Sequence, residues 1–251
     1  MARFFCFPVV KMSKLLILSD IHGNWAALRA VLDAERDFQQ AVFCGDVVDY
    51  GPRPADCLRW VRGNCTHVVR GNHDNALAFD LDCRCMGSFR PYSVATRAWH
   101  REILAPADVD FLRQMPAVDW FEWEGRHVRM AHAEPRGNLF EYLSPEDWER
   151  QLDGIDADFV LLGHTHVQGM RTFGKTTVVN PGSVGLARDK ARDACYAVLE
   201  GGELSLKRIP YDVAQTVCEL RRAPLPPDVI SGLIQVLTPP AEKALETVPN
   251  R

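Results

Sequence analysis

The feature that most constrains this chain is a pattern that occurs three times, a short apolar run followed directly by polar residues. The runs cover 15–18, 41–44 and 68–69, and the polar residues after them include Asp20, Asp46 and Asn72. Consecutive members of this polar set are 26 residues apart, which fits one strand and one helix of a parallel sheet. Because parallel strands end at the same edge of a sheet, we predict that the three polar clusters lie together.

The segments between and after these runs predict the remaining elements. Trp25, Leu28 and Val31 repeat at helical spacing behind Asn24, a suitable helix cap. Further strands are predicted at 118–123, 128–131, 159–162, 177–179, 195–199 and 204–209, and further helices around 57–61, 145–152, 213–222 and 228–236. We expect one α/β domain over 14–251, with an N-terminal extension at 1–13, a cap-like insertion around 75–117 and a helical C-terminal segment at 212–251. Met12 is an alternative start of the chain.

The composition narrows the possible functions. No apolar run approaches the roughly 18–20 residues that span a bilayer, so no membrane partner is expected. The formal net charge of -4 gives no basic surface for a nucleic acid, so that partner is disfavoured. The eight cysteines lack the paired spacing of a zinc ribbon, and we expect no export signal, which together predict reduced thiols in a cytoplasmic protein. Cys83 and Cys85 are interpreted as two unrelated thiols.

Nine polar residues are predicted to converge at the strand ends. They are Asp20, His22, Asp46, Asp49, Asn72, His73, His132, His164 and His166. Carboxylate, amide and imidazole ligands without a thiolate suit Mn, Fe or Zn better than they suit a structural zinc site. Asp46 is a suitable bridge, since a carboxylate can offer one oxygen to each of two ions. His67, His100 and His127 fall outside this set and are interpreted as ordinary surface or strand residues, and residues 180–183 as a turn.

The motifs that carry these residues resemble those of the calcineurin-like metallophosphoesterase superfamily. They are Asp20-Ile21-His22, Gly45-Asp46-x-x-Asp49, Gly71-Asn72-His73-Asp74, His132 and Gly163-His164-x-His166, in that order. The resemblance covers about three quarters of the chain, roughly residues 14–200, and is nearest to the small bacterial and archaeal phosphodiesterase branch. It implies a four-layer α-β-β-α sandwich, in which two mixed sheets are flanked by helices.

The resemblance also implies a role for each polar residue. One divalent ion would be held by Asp20, His22, Asp46 and His166, and the other by Asp46, Asn72, His132 and His164. His73 would lie beside the phosphate group, and Asp49 would keep it oriented and charged. Arg53, Arg90 and Arg97 are candidate substrate-binding residues.

The implied function is hydrolysis of a phosphodiester or phosphomonoester bond in a small nucleotide-like substrate, by in-line attack of a hydroxide that bridges the two ions. A serine/threonine-type protein phosphatase, a dinucleoside polyphosphate hydrolase and a non-catalytic scaffold of the same fold stay open as alternatives, as does a homo-oligomer. A nuclease is disfavoured by the net charge. Protein phosphatases of the superfamily carry an arginine after the second aspartate of the Gly-Asp motif, where this chain has Tyr50, and a glutamate where it has Asp74.

Overall fold

The structure, a computed structural model, describes residues 13–85, 87–188 and 191–238. Met12, most of the predicted extension at 1–13 and the part of the C-terminal segment beyond residue 238 lie outside the described residues. In chain order the elements are β1 (Lys14–Leu18), α1 (Trp25–Ala34), β2 (Gln40–Phe43), α2 (Pro54–Asn64), β3 (Cys65–Val68), α3 (Asn72–Phe79), α4 (Arg90–Ile103), α5 (Pro106–Gln114), β4 (Val118–Trp123), β5 (Arg126–Ala131), β6 (Phe159–Leu161), β7 (Gly169–Phe173), β8 (Thr176–Asn180), β9 (Ala194–Glu200), β10 (Glu203–Ile209), α6 (Val213–Leu220) and α7 (Pro227–Leu237).

The strands form two mixed sheets of five strands each. The first has the order β10-β9-β1-β2-β3, in which β1, β2 and β3 are parallel and β9 is antiparallel to both of its neighbours. The second has the order β4-β5-β6-β8-β7, in which β5, β6 and β8 are parallel and the two edge strands are antiparallel. With helices flanking the sheets, this confirms the predicted fold class.

The two sheets pack face to face around an inner apolar core. Ile17 and Val42 of the first sheet and Met130 of the second are fully buried in it. Successive strand residues point to opposite faces, so Leu16 and Phe43 lie in a second core, beneath the helices of the first sheet. Burial on both faces is why β1 and β2 are apolar along their whole length.

The outer layers of the two sheets differ. On the first sheet α1, α2, α3 and α5 contribute side chains to the outer core. On the second, Leu143 and Trp148 cover the strands, and the helix predicted at 145–152 is reduced to a 3-10 turn at Glu149–Gln151. The prediction is wrong because this short stretch is fixed by Trp148, which is buried against the sheet, rather than by a helical apolar face.

The segment at 75–117 brings α4 over the loops that follow β2 and β3. The buried face of α4 carries Ser93, Thr96, Arg97 and His100. Its other side packs on α7, where Gly232 lies so close to Tyr92 that an added Cβ would come within 2.2 Å of the phenol oxygen. Helix α7 therefore supports α4 on the side away from the loops that follow β2 and β3.

No helix in the described part of the chain combines the length and the apolar character that a membrane crossing requires.

Candidate metal centre

The nine predicted polar residues all follow strands at one edge of the sandwich. Four come from loops after the first two strands: Asp20 and His22 after β1, and Asp46 and Asp49 after β2. Asn72 and His73 open α3, His132 follows β5, and His164 and His166 follow β6. Both sheets therefore contribute to one site, and all nine side chains are buried.

The loops place these side chains with unusual backbone conformations. Asp20, Asp46 and Asp49 have φ values of 52°, 65° and 66°, and His164 and His166 have φ values of 69° and 61°. Such left-handed conformations cost a residue with a side chain about 1–3 kcal/mol and persist only where the surroundings enforce them. Hydrogen bonds between loops do so here, for example from the Asp20 N–H to the Gly45 carbonyl at 2.9 Å.

Two glycines allow the loops to approach one another. An added Cβ at Gly71 would lie 2.0 Å from Asp46 Oδ1, and one at Gly163 would lie 2.0 Å from Ser19 Oγ. Both distances are far below a van der Waals contact, so any side chain at Gly71 would displace the Asp46 carboxylate.

One cluster of hydrogen-bond acceptors is formed by Asp20, His22 and His166. The Nδ1 atoms of His22 and His166 lie 2.8 and 2.7 Å from the carbonyls of Val48 and Leu186, so each Nδ1 carries the proton and each Nε2 a lone pair. These Nε2 atoms are 3.1 Å apart, and Asp20 Oδ1, 3.2 Å from His166 Nε2, makes no hydrogen bond with the described residues. Burial, together with His166, lowers the pKa of His22 to about 3.

The second cluster contains Asp46, Asn72, His132 and His164. His132 donates from Nδ1 to the Cys44 carbonyl at 2.7 Å, which points its Nε2 at Asp46 Oδ2 and Asn72 Oδ1, both 3.2 Å away. Among the described residues, Asp46 Oδ2 and His164 Nε2 have no hydrogen-bond partner. Burial opposes a charge on His132, but Asp46 outweighs it and raises the pKa of His132 to about 9. A positive charge, either a proton or a cation, is therefore favoured between these groups.

The two clusters fit divalent cations. In each, three ligand atoms lie within 4.8 Å of one another: those of Asp20, His22 and His166 in the first, and those of Asp46, His132 and His164 in the second. The orphaned oxygen of Asp46 faces both clusters, 3.2 Å from His132 Nε2 and 4.0 Å from His22 Nε2. A pair of Mn, Fe or Zn ions would satisfy the buried atoms that have no hydrogen-bond partner among the described residues, which are Asp20 Oδ1, Asp46 Oδ2 and His164 Nε2.

His73 and Asp49 lie beside these clusters as a hydrogen-bonded pair. His73 Nδ1 is 2.7 Å from Asp49 Oδ2, and the same oxygen accepts from Ser93 Oγ at 2.6 Å. Burial disfavours a charged imidazole, but the carboxylates of Asp46 and Asp49 outweigh it and raise the pKa of His73 well above its usual value. The pair can therefore present a protonated imidazole next to the two clusters.

Comparison with known proteins identifies the family. The family model described as "Calcineurin-like phosphoesterase superfamily domain" matches residues 13–203. The chain belongs to this superfamily. It is 28% identical over 237 residues to the uncharacterized protein MJ0912 of Methanocaldococcus jannaschii, covering 85% of this chain and 94% of that one. It is 27% identical over 198 residues to the phosphodiesterase YfcE of Escherichia coli, covering 78% of this chain and 91% of YfcE.

A solved structure agrees with this assignment. The crystal structure of a metallophosphoesterase from Sphaerobacter thermophilus aligns with a TM-score of 0.76 at 26% identity, over 90% of this chain and 100% of that one. Membership of the superfamily therefore accounts for the two mixed sheets and for the order of the motifs along the chain.

Two residues that position the site loops were not predicted. Both oxygens of the buried Asp74 accept backbone N–H groups, from Asp46 at 2.7 Å, Val47 at 2.9 Å and Gly71 at 3.1 Å. His100 was interpreted as a surface or strand residue, which is wrong: it is fully buried in α4. Its Nδ1 accepts the Asp49 N–H at 3.1 Å and its Nε2 donates to the Gly51 carbonyl at 3.0 Å.

The predicted turn at 180–183 also contacts the site loops. Asn180 Nδ2 donates to the Gly163 carbonyl at 2.6 Å, and Ser183 Oγ donates to the Asp20 carbonyl at 2.7 Å. The turn therefore fixes the loops that carry Asp20 and His164.

The three candidate arginines occupy different surroundings. Arg97 is buried, and its guanidinium lies 3.5 Å from Asp49 Oδ2 and 3.2 Å from Ser93 Oγ. Arg90 is exposed and pairs with Asp82 at 2.9 Å. Arg53 pairs with Asp56 at 2.6 Å and Glu219 at 3.4 Å. The structure brings Arg97 to the predicted His73–Asp49 pair, while a substrate contact by Arg53 or Arg90 stays a prediction.

Cys83 and Cys85 do not fit the interpretation of two unrelated thiols. Both are buried, and their sulfurs lie with an imidazole nitrogen of His73 in a group of ligand atoms that are all within 4.8 Å of one another. The hydrogen bond between the two thiols lowers the pKa of Cys83 and raises that of Cys85.

Proposed function

We propose that this superfamily member is a dimetal-dependent phosphoesterase that hydrolyses a phosphodiester or phosphomonoester bond of a small nucleotide-like substrate. The observation that carries the proposal is the pair of buried His/Asp clusters beside the His73–Asp49 pair, in which Asp20 Oδ1, Asp46 Oδ2 and His164 Nε2 have no hydrogen-bond partner among the described residues. Buried polar atoms without partners, strained loops and a buried charged imidazole all cost stability, and a non-catalytic scaffold does not require them at one place.

The two divalent ions would be held by the two clusters, with Asp46 shared between them. Mn, Fe and Zn all suit this donor set. When bound, such ions supply neutralisation of phosphate charge and lower the pKa of water at the site. Asn72 is oriented for its part, because its Nδ2 donates to the Cys83 carbonyl at 2.8 Å and leaves Oδ1 facing the histidines.

His73 is proposed to give its proton to the leaving oxygen. The Asp49 carboxylate holds Nδ1, which leaves Nε2 to face the substrate side, where Tyr50 Oη lies 3.4 Å away. The Asp49 carboxylate, which accepts from Nδ1, favours the protonated imidazole, and a protonated imidazole serves as a general acid. Arg97 and Ser93 keep the Asp49 oxygen in place, and we propose that Arg97 also favours phosphate binding.

The substrate class follows from the relatives and from Tyr50. YfcE is described as a phosphodiesterase, which favours a diester. Tyr50 stands where the sequence comparison expects the phosphate-gripping arginine of protein phosphatases, and its hydroxyl cannot make a bidentate, charged contact. A protein phosphatase is therefore the weaker alternative. The cytoplasmic location stays a prediction, which the free thiols of all seven described cysteines support.

The decisive experiment is metal-dependent hydrolysis by protein stripped with EDTA. Mn, Zn, Fe and Mg would each be restored and tested on a chromogenic diester, a monoester, a dinucleoside polyphosphate and a phosphoserine peptide. We expect diester or polyphosphate cleavage that requires metal and falls at least 100-fold in His73→Ala. His67→Ala is the matched control, since His67 pairs with Asp119 on β3 and β4 instead. Stoichiometric metal binding without turnover of any substrate would contradict the proposal.

A further inference from the structure

The group formed by His73, Cys83 and Cys85 shares no side chain with the two acceptor clusters. Cys83 and Cys85 follow α3, and their side chains turn back toward His73 at the start of that helix. Cys83 Sγ also lies 3.3 Å from Ser93 Oγ. Two buried sulfurs thus lie close to an imidazole nitrogen of His73, the proposed general acid.

This donor set differs in chemistry from the two clusters. The carboxylate and imidazole ligands of the two clusters suit Mn, Fe or Zn, whereas thiolates select Zn²⁺, Cu⁺ and other thiophilic ions. Zinc binds thiolates at about 2.3 Å, so the sulfurs of a tetrahedral site are about 3.8 Å apart. The observed group lies within 4.8 Å, and small side-chain rotations would close it around an ion.

We propose that Cys83, Cys85 and one imidazole nitrogen of His73 form a third metal site, which takes a thiophilic ion such as Zn²⁺ and inhibits hydrolysis when it is occupied. The inhibition rests on the proposed function. An imidazole that holds a metal through Nε2 has no proton on that nitrogen, and one that holds it through Nδ1 is no longer an imidazolium, so its Nε2 proton is a far weaker acid. Binding itself does not depend on that function. Because the two clusters also suit zinc, the effect of the third site is a difference: free zinc would inhibit the wild type more strongly than a variant without the two thiols.

The first test is titration of the reduced, EDTA-treated protein with Co²⁺, followed by absorption spectroscopy. Thiolate ligands give an intense near-ultraviolet charge-transfer band, which the oxygen and nitrogen ligands of the two clusters do not. We expect saturation at three equivalents together with this band. A Cys83→Ser/Cys85→Ser double variant should saturate at two equivalents and lose the band, while Cys218→Ser, whose thiol is exposed, should keep both.

The second test is inhibition of the Mn-loaded enzyme by Zn²⁺. Any exchange of ions in the two clusters occurs in both proteins, so the comparison is made at one Zn²⁺ concentration: where the double variant loses less than twofold of its hydrolysis, we expect at least a tenfold loss in the wild type. If no substrate is hydrolysed at all, the proposed function fails, but the cobalt titration still decides whether the site exists. Absence of the band, a band that persists in the double variant, or a native mass that shows the two thiols joined as a disulfide under reducing conditions would each overturn the third site.

Discussion

Replacement of Asp74 by Asn should weaken both the fold and the metal centre. The two oxygens of Asp74 together accept four backbone N–H groups, from Asp46, Val47, Val48 and Gly71, at 2.7 to 3.4 Å. An amide keeps one oxygen and turns the other position into a donor, which then faces N–H groups. Two buried N–H groups therefore lose their acceptor.

The magnitude follows from these contacts. A buried donor left without a partner costs about 1–3 kcal/mol, so the loss of an acceptor by two donors should lower the free energy of unfolding by about 2–6 kcal/mol in Asp74→Asn. The loop that carries Asp46 loses its anchor as well, and metal affinity should fall about 10–100-fold, as for other residues that orient ligands.

Urea unfolding of the EDTA-treated protein measures the first effect, and calorimetric Mn²⁺ titration the second. Asp56→Asn is the matched control, because Asp56 makes ion pairs with Arg53 and Arg59 at the start of α2. Such surface pairs contribute at most about 1 kcal/mol. If Asp74→Asn unfolds at the same urea concentration as Asp56→Asn and binds Mn²⁺ as tightly, the reasoning about Asp74 is wrong.

Three further predictions concern the site and the first sheet. Gly71→Ala should reduce Mn²⁺ affinity at least tenfold in calorimetry, because its Cβ would collide with Asp46 Oδ1; unchanged affinity would contradict the close approach. Divalent metal at about 100 times its dissociation constant adds about 2.7 kcal/mol and should raise the melting temperature by about 5–10 °C; an equal melting temperature with EDTA would count against the clusters as metal ligands. Burial would raise the pKa of Glu35, but hydrogen bonds from Lys207 and Lys14 outweigh burial and lower it. The charged carboxylate therefore stabilises the fold at pH 7. This stabilisation is lost as the pH falls from about 4.3, the pKa in the unfolded chain, through the lower pKa in the folded protein. Glu35→Gln should lower stability at pH 7 by about 1–3 kcal/mol and flatten its acid dependence in chemical unfolding; a parallel pH profile would refute this.

The polar ends of β1, β2 and β3 could be predicted because three local signals agree there. The apolar run, the polar residues that follow and the regular spacing all depend on neighbours in sequence. Strand β7 was not predicted, because Met170, Arg171 and Thr172 are exposed on an edge strand and form no apolar run. The helix expected at 145–152 failed for a related reason, since burial of Trp148 depends on a sheet that is formed elsewhere in the chain.

The contacts between residues inside the candidate site were harder to predict from the sequence than the strands. His100 and Cys83 act on Asp49 and His73 through contacts between elements, which no local spacing reveals. The sequence distinguishes Asp74 only as a residue that replaces the glutamate of protein phosphatases. Its four contacts with backbone N–H groups depend on how the loops fold against each other, so the sequence does not predict them. The left-handed conformations of Asp20 and His164 could not be anticipated either, because neither residue type requires a positive φ.

The division of the candidate ligands between the two sheets has a consequence for the synthesis of the chain. His22 and His166, whose Nε2 atoms are 3.1 Å apart, are separated by 144 residues of sequence. At about 5–20 residues per second, roughly 7–30 s pass between the emergence of the first and of the second from a ribosome. During that interval the N-terminal ligands can hold an ion only weakly, so whichever metal the finished protein carries is chosen after translation has passed His166. A chain truncated before His164 would lack a histidine of each candidate cluster, so neither set of ligands would be complete.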